Sequence, residues 1–277
     1  MRNDRGQIIL ILVLITVVGL TIGLSLVSRT ITDIRISSQI EQSSRAFSAA
    51  EAGIETALKS NIAVVPTGTV SLVGASANYQ VQTIGGSTAN IDLPITAVGS
   101  NQTVWLIEHD ANGAIVESGY SYPVNQQLEI CFNNLMNNPA VMISIFYKEN
   151  TSYKVAKKAF ESSTAHGSNN LIMSDTLGSY CNGKYQNRVI AMPATDANAA
   201  THDFGISPVN TKLLFLRLQP IYDTTAFTLK PAANMPIQGR IITSVGQTQT
   251  NVVRKIQVFQ GFSILPSLLD FAFFSEN

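Results

Sequence analysis

Residues 8–27 read IILILVLITVVGLTIGLSLV, twenty positions without a charge. At 1.5 Å per residue such a helix is about 30 Å long, the hydrocarbon thickness of a bilayer. A buried core helix carries a polar face, and this one offers only Thr and Ser. A secretory signal has a shorter apolar run, about 7–15 residues, ending at a small-x-small site. Here the run passes without a break into a second helical pattern. Arg2 and Arg5 precede it, which keeps a short leader cytoplasmic and sends the rest across. The expectation is a single-pass membrane protein with an extracytoplasmic head. Gly19 and Gly23 form a GxxxG inside the run, either a close helix–helix contact or two permissive residues in a membrane helix.

Beyond Val27 the helix continues. No proline occurs before Pro66, and Gly53 is the only glycine between Gly23 and Gly68. Ile40, Phe47 and Ile54 recur at seven with Ala50 and Ala57 alongside, one apolar stripe on an otherwise polar helix. Ser37, Ser38, Gln39, Gln42, Ser43 and Ser44 cover the other faces. The pattern predicts one helix over 7–59, roughly 75 Å long, oily all round in its first half and amphipathic in its second.

After Pro66 short β-type runs alternate with turn residues. Runs at 69–73 and 79–84 flank Gly74-Ala75-Ser76, and runs at 104–109 and 114–118 flank Asp110-Ala111-Asn112-Gly113, a hairpin signal. Further runs follow at 127–132, 142–148, 153–159, 212–219 and 226–230, then 237–245 and 252–260 around Gly246. Regular short strands between Gly, Asn and Pro suggest a β-sandwich. Residues 161–211, rich in Ser, Asn and Ala, read mostly as long loops. The fold class is α+β.

Composition narrows the function. Of 277 residues 45% are hydrophobic but only 13% charged, and eighteen basic residues balance eighteen acidic ones. No net field draws the chain to nucleic acid, and positive mean hydropathy excludes a wholly disordered chain. The polar content is carried by Asn, Ser, Thr and Gln, which suits an exported surface protein. Three histidines and two cysteines leave little for a metal cluster or an elaborate active site. No cofactor or metal is expected.

Arg5-Gly6 before the apolar stretch, then Arg45-Ala46-Phe47 and Ala49-Ala50-Glu51-Ala52-Gly53, resemble the N-terminal region of PilX-type minor pilins of type IV pili. They are similar also to K-type pseudopilins of type II secretion. The resemblance covers roughly residues 1–58, and the closing stretches 241–246 and 254–258 resemble the last hairpin of PilX-like proteins. It implies a leader, 1–6, cut by a prepilin peptidase between Gly6 and Gln7, with Gln7 the methylated new N-terminus. It implies a filament core formed with other pilin subunits, with Ile11, Gly19, Gly23, Phe47 and Ile54 in helix packing, after storage in the inner membrane. Two departures stand out: Gln7 replaces the usual aromatic or methionine, and Ile11 stands where a major pilin carries glutamate. The pilin plan packs a small antiparallel sheet, here 69–84 and 237–260, on the helix. Residues 88–232 then form an inserted sandwich within a head spanning 60–277. The apolar tail after Pro266, LLDFAFFSEN, suits docking on the head or on a neighbour.

Chemistry elsewhere is thin. Cys131 and Cys181 are fifty positions apart, which excludes a CxxC motif. They read either as a disulfide in an exported domain or as two buried thiols, with the bridge favoured. His109-Asp110 and His202-Asp203 read as turn and loop residues, since neighbours on a strand face opposite ways. Asp110 and Asn112 before Gly113, and Asp196, Asn198 and Asp203, echo a calcium loop without its closing glutamate. Lys148, Lys154, Lys157 and Lys158 cluster with Phe146, Tyr147 and Tyr153, but Glu149 and Glu161 dilute the charge, so no nucleic acid partner is expected. The expected role is structural, in assembly initiation or at a filament tip, with adhesion through the head. The rivals are a type II pseudopilin, an unprocessed single-pass adhesin, and a membrane-tethered hydrolase.

Overall fold

The computed structural model describes residues 5–62, 65–132, 138–175, 178–192, 202–264 and 266. Most of the leader and the tail beyond Pro266 therefore lie outside the described residues, as do Asp196 and Asn198. One helix, α1 (Arg5–Leu58), opens the chain. Thr16, Thr21, Thr30 and Thr32 turn their hydroxyls onto carbonyls three or four residues back, at 2.8–3.0 Å, which carries polar side chains through an oily helix without external partners. The strands follow in order: β1 (Thr67–Leu72), β2 (Ala75–Ile84), β3 (Ile91–Asp92), β4 (Gln102–Trp105), β5 (Leu128–Phe132), β6 (Ala140–Glu149) and β7 (Ser152–Glu161). Then come β8 (Ile172–Met173), β9 (Asn187–Ile190), β10 (Thr211–Ile221), β11 (Phe227–Pro231), β12 (Gly239–Thr248) and β13 (Val253–Gly261). One long apolar helix followed by a β-rich head makes the chain α+β.

The chain divides into two compact units. The first holds α1 with Thr67–Gln80 and Thr243–Gln257, stretches of the four-stranded sheet β1-β2-β12-β13. Ala46, Ala49, Ala50 and Ala57 of α1 are buried, at spacings of three, four and seven that put them on one helical face with Gly53. Ala75 and Ala77 of β2 cluster with Ala49. The approach is so close that a Cβ on Gly246 would lie 1.9 Å from the Ala46 carbonyl oxygen, and one on Gly53 would lie 2.3 Å from Ser244 Oγ. This corrects the single stripe through Ile40, Phe47 and Ile54. Ile54 is buried at the flank of the alanine face, whereas Phe47 is 46% and Ile40 65% exposed. Only small side chains fit a gap this narrow, so the larger apolar residues fall outside it.

The second unit holds Ser60–Pro66, Val81–Ile242 and the chain from Val258 onward. Its centre is a sandwich of a five-stranded sheet, β4-β10-β6-β7-β8, and a four-stranded sheet, β3-β11-β5-β9. The pairs are antiparallel except β7–β8. Ile143 and Ile145 of β6, Leu216 and Leu218 of β10 and Phe160 of β7 share one core with Ile130 and Phe132 of β5 and Phe227 and Leu229 of β11. A bulge between Leu213 and Phe215 adds Leu214 to β10, so Leu213 joins the core while Leu214 packs with Trp105 and Phe215. The buried Tyr122 hydroxyl donates to the Gln127 carbonyl at 2.5 Å and accepts from the Ala232 N–H at 3.1 Å.

Arg240 is fully buried in this unit. Its guanidinium donates to the carbonyls of Ser60 and Asn61, both at 2.8 Å, and to Gln260 Oε1 at 2.8 Å. Burial pushes its pKa down from the ordinary arginine value. Those bonds fix the course of the chain just past the end of α1.

Residues 161–211 are mostly loop where described, interrupted by a short 3-10 helix (Thr164–His166), β8 and β9. β9 reads Asn-Arg-Val-Ile, too short for alternation to mark it and buried at three of its four positions. The turn at Asp110–Gly113 forms, with the Asp110 N–H donating to Ala114 O at 2.8 Å and Gly113 at φ +86°. The ladder beside it shrinks to single bridges, His109 with Ile115 and Ile107 with Ser121. Backbone groups there choose other partners, the Leu106 N–H donating to Leu214 O and the Glu108 N–H to Tyr120 O.

Candidate assembly surface

The first half of α1 is the largest uncovered apolar surface among the described residues. Its exposed residues run from Ile9 to Val27, with Leu10 at 70% and Val18 at 48%. Ile9–Leu58 is long and apolar enough to be a candidate membrane span. Soluble monomers seldom expose apolar patches beyond a few hundred Å², so this half needs lipid or other protein around it. Gly19 and Gly23 have nothing within 4 Å of where a Cβ would sit, which leaves a shallow notch one turn apart on the free helix. Ile11 is 55% exposed. Gly6 and Gln7 lie in the helical backbone of α1, and their surroundings are outside the described residues.

Further along, the free side of α1 carries Ile36, Ile40 and Phe47. An exposed Arg45–Glu41 pair at 2.6 Å flanks them and contributes little, as exposed i,i+4 pairs do. Ile54 does not belong to this free surface, because its own unit buries it. The stripe read from the sequence includes Ala50 and Ala57 of the small-residue face but not Ala46, Ala49 and Gly53, which share its spacing.

Cys131 and Cys181 are joined, with their Cα atoms 6.3 Å apart. Cys131 comes from β5, and Cys181 from a turn in which Cys181, Asn182 and Gly183 all take positive φ. Glu129 is the third member of the one grouping with metal-ligand spacing among the described residues. In the bridged state neither sulfur is a thiolate, the form a metal needs, and Glu129 faces Lys230 at 3.4 Å and Arg188 at 3.7 Å instead.

The histidine–aspartate dipeptides do not pair internally. Asp110 Oδ1 accepts from the N–H groups of Asn112 and Ala114 at 2.8 and 2.9 Å. The His109 ring stacks on Phe262 at 3.9 Å and meets Trp105 edge-on at 4.4 Å, and burial holds its pKa below the ordinary value. His202 is buried with Nε2 3.1 Å from the Met173 carbonyl oxygen, and Asp203 accepts from the Gly205 N–H. In the lysine cluster, Lys148 is paired with Glu117 and Lys154 with Glu149. Glu117 also accepts from the Tyr153 hydroxyl, and these two donors, Lys148 first, hold its carboxyl below the usual range.

No family model, no curated protein and no solved structure matches this chain.

Proposed function

We propose that this chain is a structural subunit of a membrane-rooted, type IV pilus-like filament, of the minor-pilin kind. The observation that carries the reading is α1 itself, uncovered over residues 9–27 and fixed to a sheet through the alanine face of its second half, with Arg254 and Thr250 donating to Ser43 and Gln42 beside it. Such a helix first sits in lipid, where a helix keeps every backbone hydrogen bond internal. It then exchanges lipid for like helices, with Gly19 and Gly23 admitting a neighbour closely and Phe47 facing outward. The second unit is carried at the surface of the assembly.

Ile11 supports a position at a start or a tip. A charged amine left unpaired in a bilayer is costly by several kcal/mol, and a bulk subunit answers its neighbour's amine with a carboxylate at this position. A subunit without that carboxylate fits where it docks beneath no earlier one. The deciding experiment is mass spectrometry of the chain from its native cells. The mature N-terminus is expected at Gln7, a bulky residue at Gly6 leaves a longer precursor, and sheared filaments contain the chain as a minor component. A chain that still begins at Met1 beside an active prepilin peptidase refutes the pilin reading in favour of an unprocessed anchor. A chain that is the most abundant subunit refutes the start-or-tip placement.

A further inference from the structure

Asn150-Thr151-Ser152 satisfies the Asn-x-Ser/Thr acceptor pattern for N-linked glycans, which requires a non-proline middle residue and a surface position. Asn150 and Thr151 form the tip of the β6–β7 hairpin, and Ser152 opens β7, paired with Glu149. All three are exposed. Asn150 sits at φ +55°, the left-handed region that asparagine tolerates better than most residues, and its N–H donates to the Asn210 carbonyl at 3.0 Å. The turn therefore presents the Asn150 side chain outward on a fixed backbone, with the Ser152 hydroxyl two residues on.

An open cleft of about 620 Å³ adjoins the tip, lined among others by Lys148, Asn210, Thr211 and Lys212. Its wall offers hydroxyl, amide and ammonium groups, the kinds that bond sugar hydroxyls. Tyr153, 61% exposed, stands next in the chain. A second match to the pattern, Asn101-Gln102-Thr103, differs in setting. Its three residues are half-buried and Thr103 lies inside β4 opposite Arg217, whereas Ser152 is the first residue of β7 at a fully exposed tip, so Asn150 is the better presented of the two.

We propose that Asn150 is an N-glycosylation site. The donor class is a polyprenyl-pyrophosphate-linked oligosaccharide, and the inference rests on the reading that the head is exported. Transfer forms one bond, from Asn150 Nδ2 to C1 of the reducing-end sugar, and breaks one, from C1 to the pyrophosphate oxygen. The lipid pyrophosphate leaves, and one amide proton passes to a base of the transferase. The first sugars then lie along the cleft beside Lys148 and Lys212.

The test uses the full chain purified from its native cells. Trypsin cuts after Lys148 and Lys154 and releases ENTSYK, residues 149–154. That peptide is expected at a mass raised by a whole number of sugar residues, with sugar fragment ions on collision. Ser152→Ala removes the added mass completely, Ser152→Thr keeps it, and circular dichroism shows both variants folded. The unmodified peptide from a chain found outside the cytoplasm overturns the proposal while leaving the export reading intact. The unmodified peptide from a chain retained in the cytoplasm overturns both. Sugar on Asn101 alone also overturns it.

Discussion

Replacing Gly246 with alanine tests how α1 is held. The new Cβ would stand 1.9 Å from the Ala46 carbonyl oxygen and 2.8 Å from the Ala50 nitrogen. Both are helix backbone, which cannot rotate aside as a side chain can. Relief requires the helix to withdraw from β12 by about 1 Å, since Cβ contacts under 3.0 Å essentially do not occur. The face that loses contact is Ala46, Ala49, Ala50, Ala57 and Ile54, all buried. Burial at about 0.8 kcal/mol per methyl, and about 2–3 kcal/mol for the isoleucine, puts this face near 6 kcal/mol. A gap of that size forfeits about a quarter to a half of each contact. The expected loss is therefore about 1.5–3 kcal/mol, in the range known for overpacked sites.

Amide exchange over residues 46–57 of the full chain in detergent micelles reads that loss directly. Protection should fall about ten- to a hundred-fold, because each 1.4 kcal/mol is a factor of about ten in local opening. Gly68→Ala is the control: its Cβ would meet only the Tyr79 side chain, at 2.6 Å from the hydroxyl oxygen, and a tyrosine on an open sheet can swing. Protection in Gly246→Ala within about threefold of the parent would show that close helix–sheet contact is not what holds the two together.

Ser244→Ala should stabilise the first unit by about 1 kcal/mol, because Ser244 Oγ is buried with no partner among the described residues. The same change should soften the cost of Gly53→Ala, whose Cβ meets that oxygen at 2.3 Å; a double-mutant cycle in urea with strictly additive effects would refute the coupling. Reducing the Cys131–Cys181 bridge should cost the sandwich about 4 kcal/mol by loop-closure bookkeeping over its separation of 50 residues, read from the fluorescence of the single tryptophan, Trp105, across a urea series. Burial depresses the His109 pKa in the folded chain, so the unfolded chain takes up the proton first. Stability is then full above the ordinary value of 6.5 and declines as pH falls below it until the folded pKa is passed. His109→Gln should flatten that slope in urea midpoints measured between about pH 5 and 8, and an unchanged slope would remove His109 as its source.

Much of the architecture is legible in residue order. Period 3.6 without proline gives α1, and period 2 with Gly-rich turns gives the hairpins that become β1–β2 and β12–β13. What escapes such reading is set by contact rather than by periodicity. β3 and β8 are two residues each, and β9 is buried on both faces, so none shows an alternation. The bulge at Leu214 reverses which residues of β10 face inward, a decision made by neighbouring strands. The candidate surface divides in the same way. The oily half of α1 is plain from composition, but seeking a stripe among the largest apolar residues selected Ile40 and Phe47, which the sheet leaves outside.

That misplacement bears on what α1 does. A helix evolved only to cap a sheet would turn its bulkiest apolar residues inward, because burial is worth most there. Here the sheet receives alanines, a glycine and the single larger residue Ile54, while Ile36, Ile40 and Phe47 remain on the solvent side. Below them Ile31, Ile34 and the all-apolar run extend the exposed hydrophobic surface to Ile9. Lipid can cover about 30 Å of this length, which accounts for the run through Val27 but not for Phe47, twenty residues and about 30 Å higher on the helix. On the proposed filament reading, a bundle of like helices covers both the membrane-depth half and Phe47. Phe47→Ser should therefore leave amide protection in the isolated chain nearly unchanged and reduce incorporation into filaments. Filaments that take up the variant at parental levels would confine the assembly surface to the apolar half.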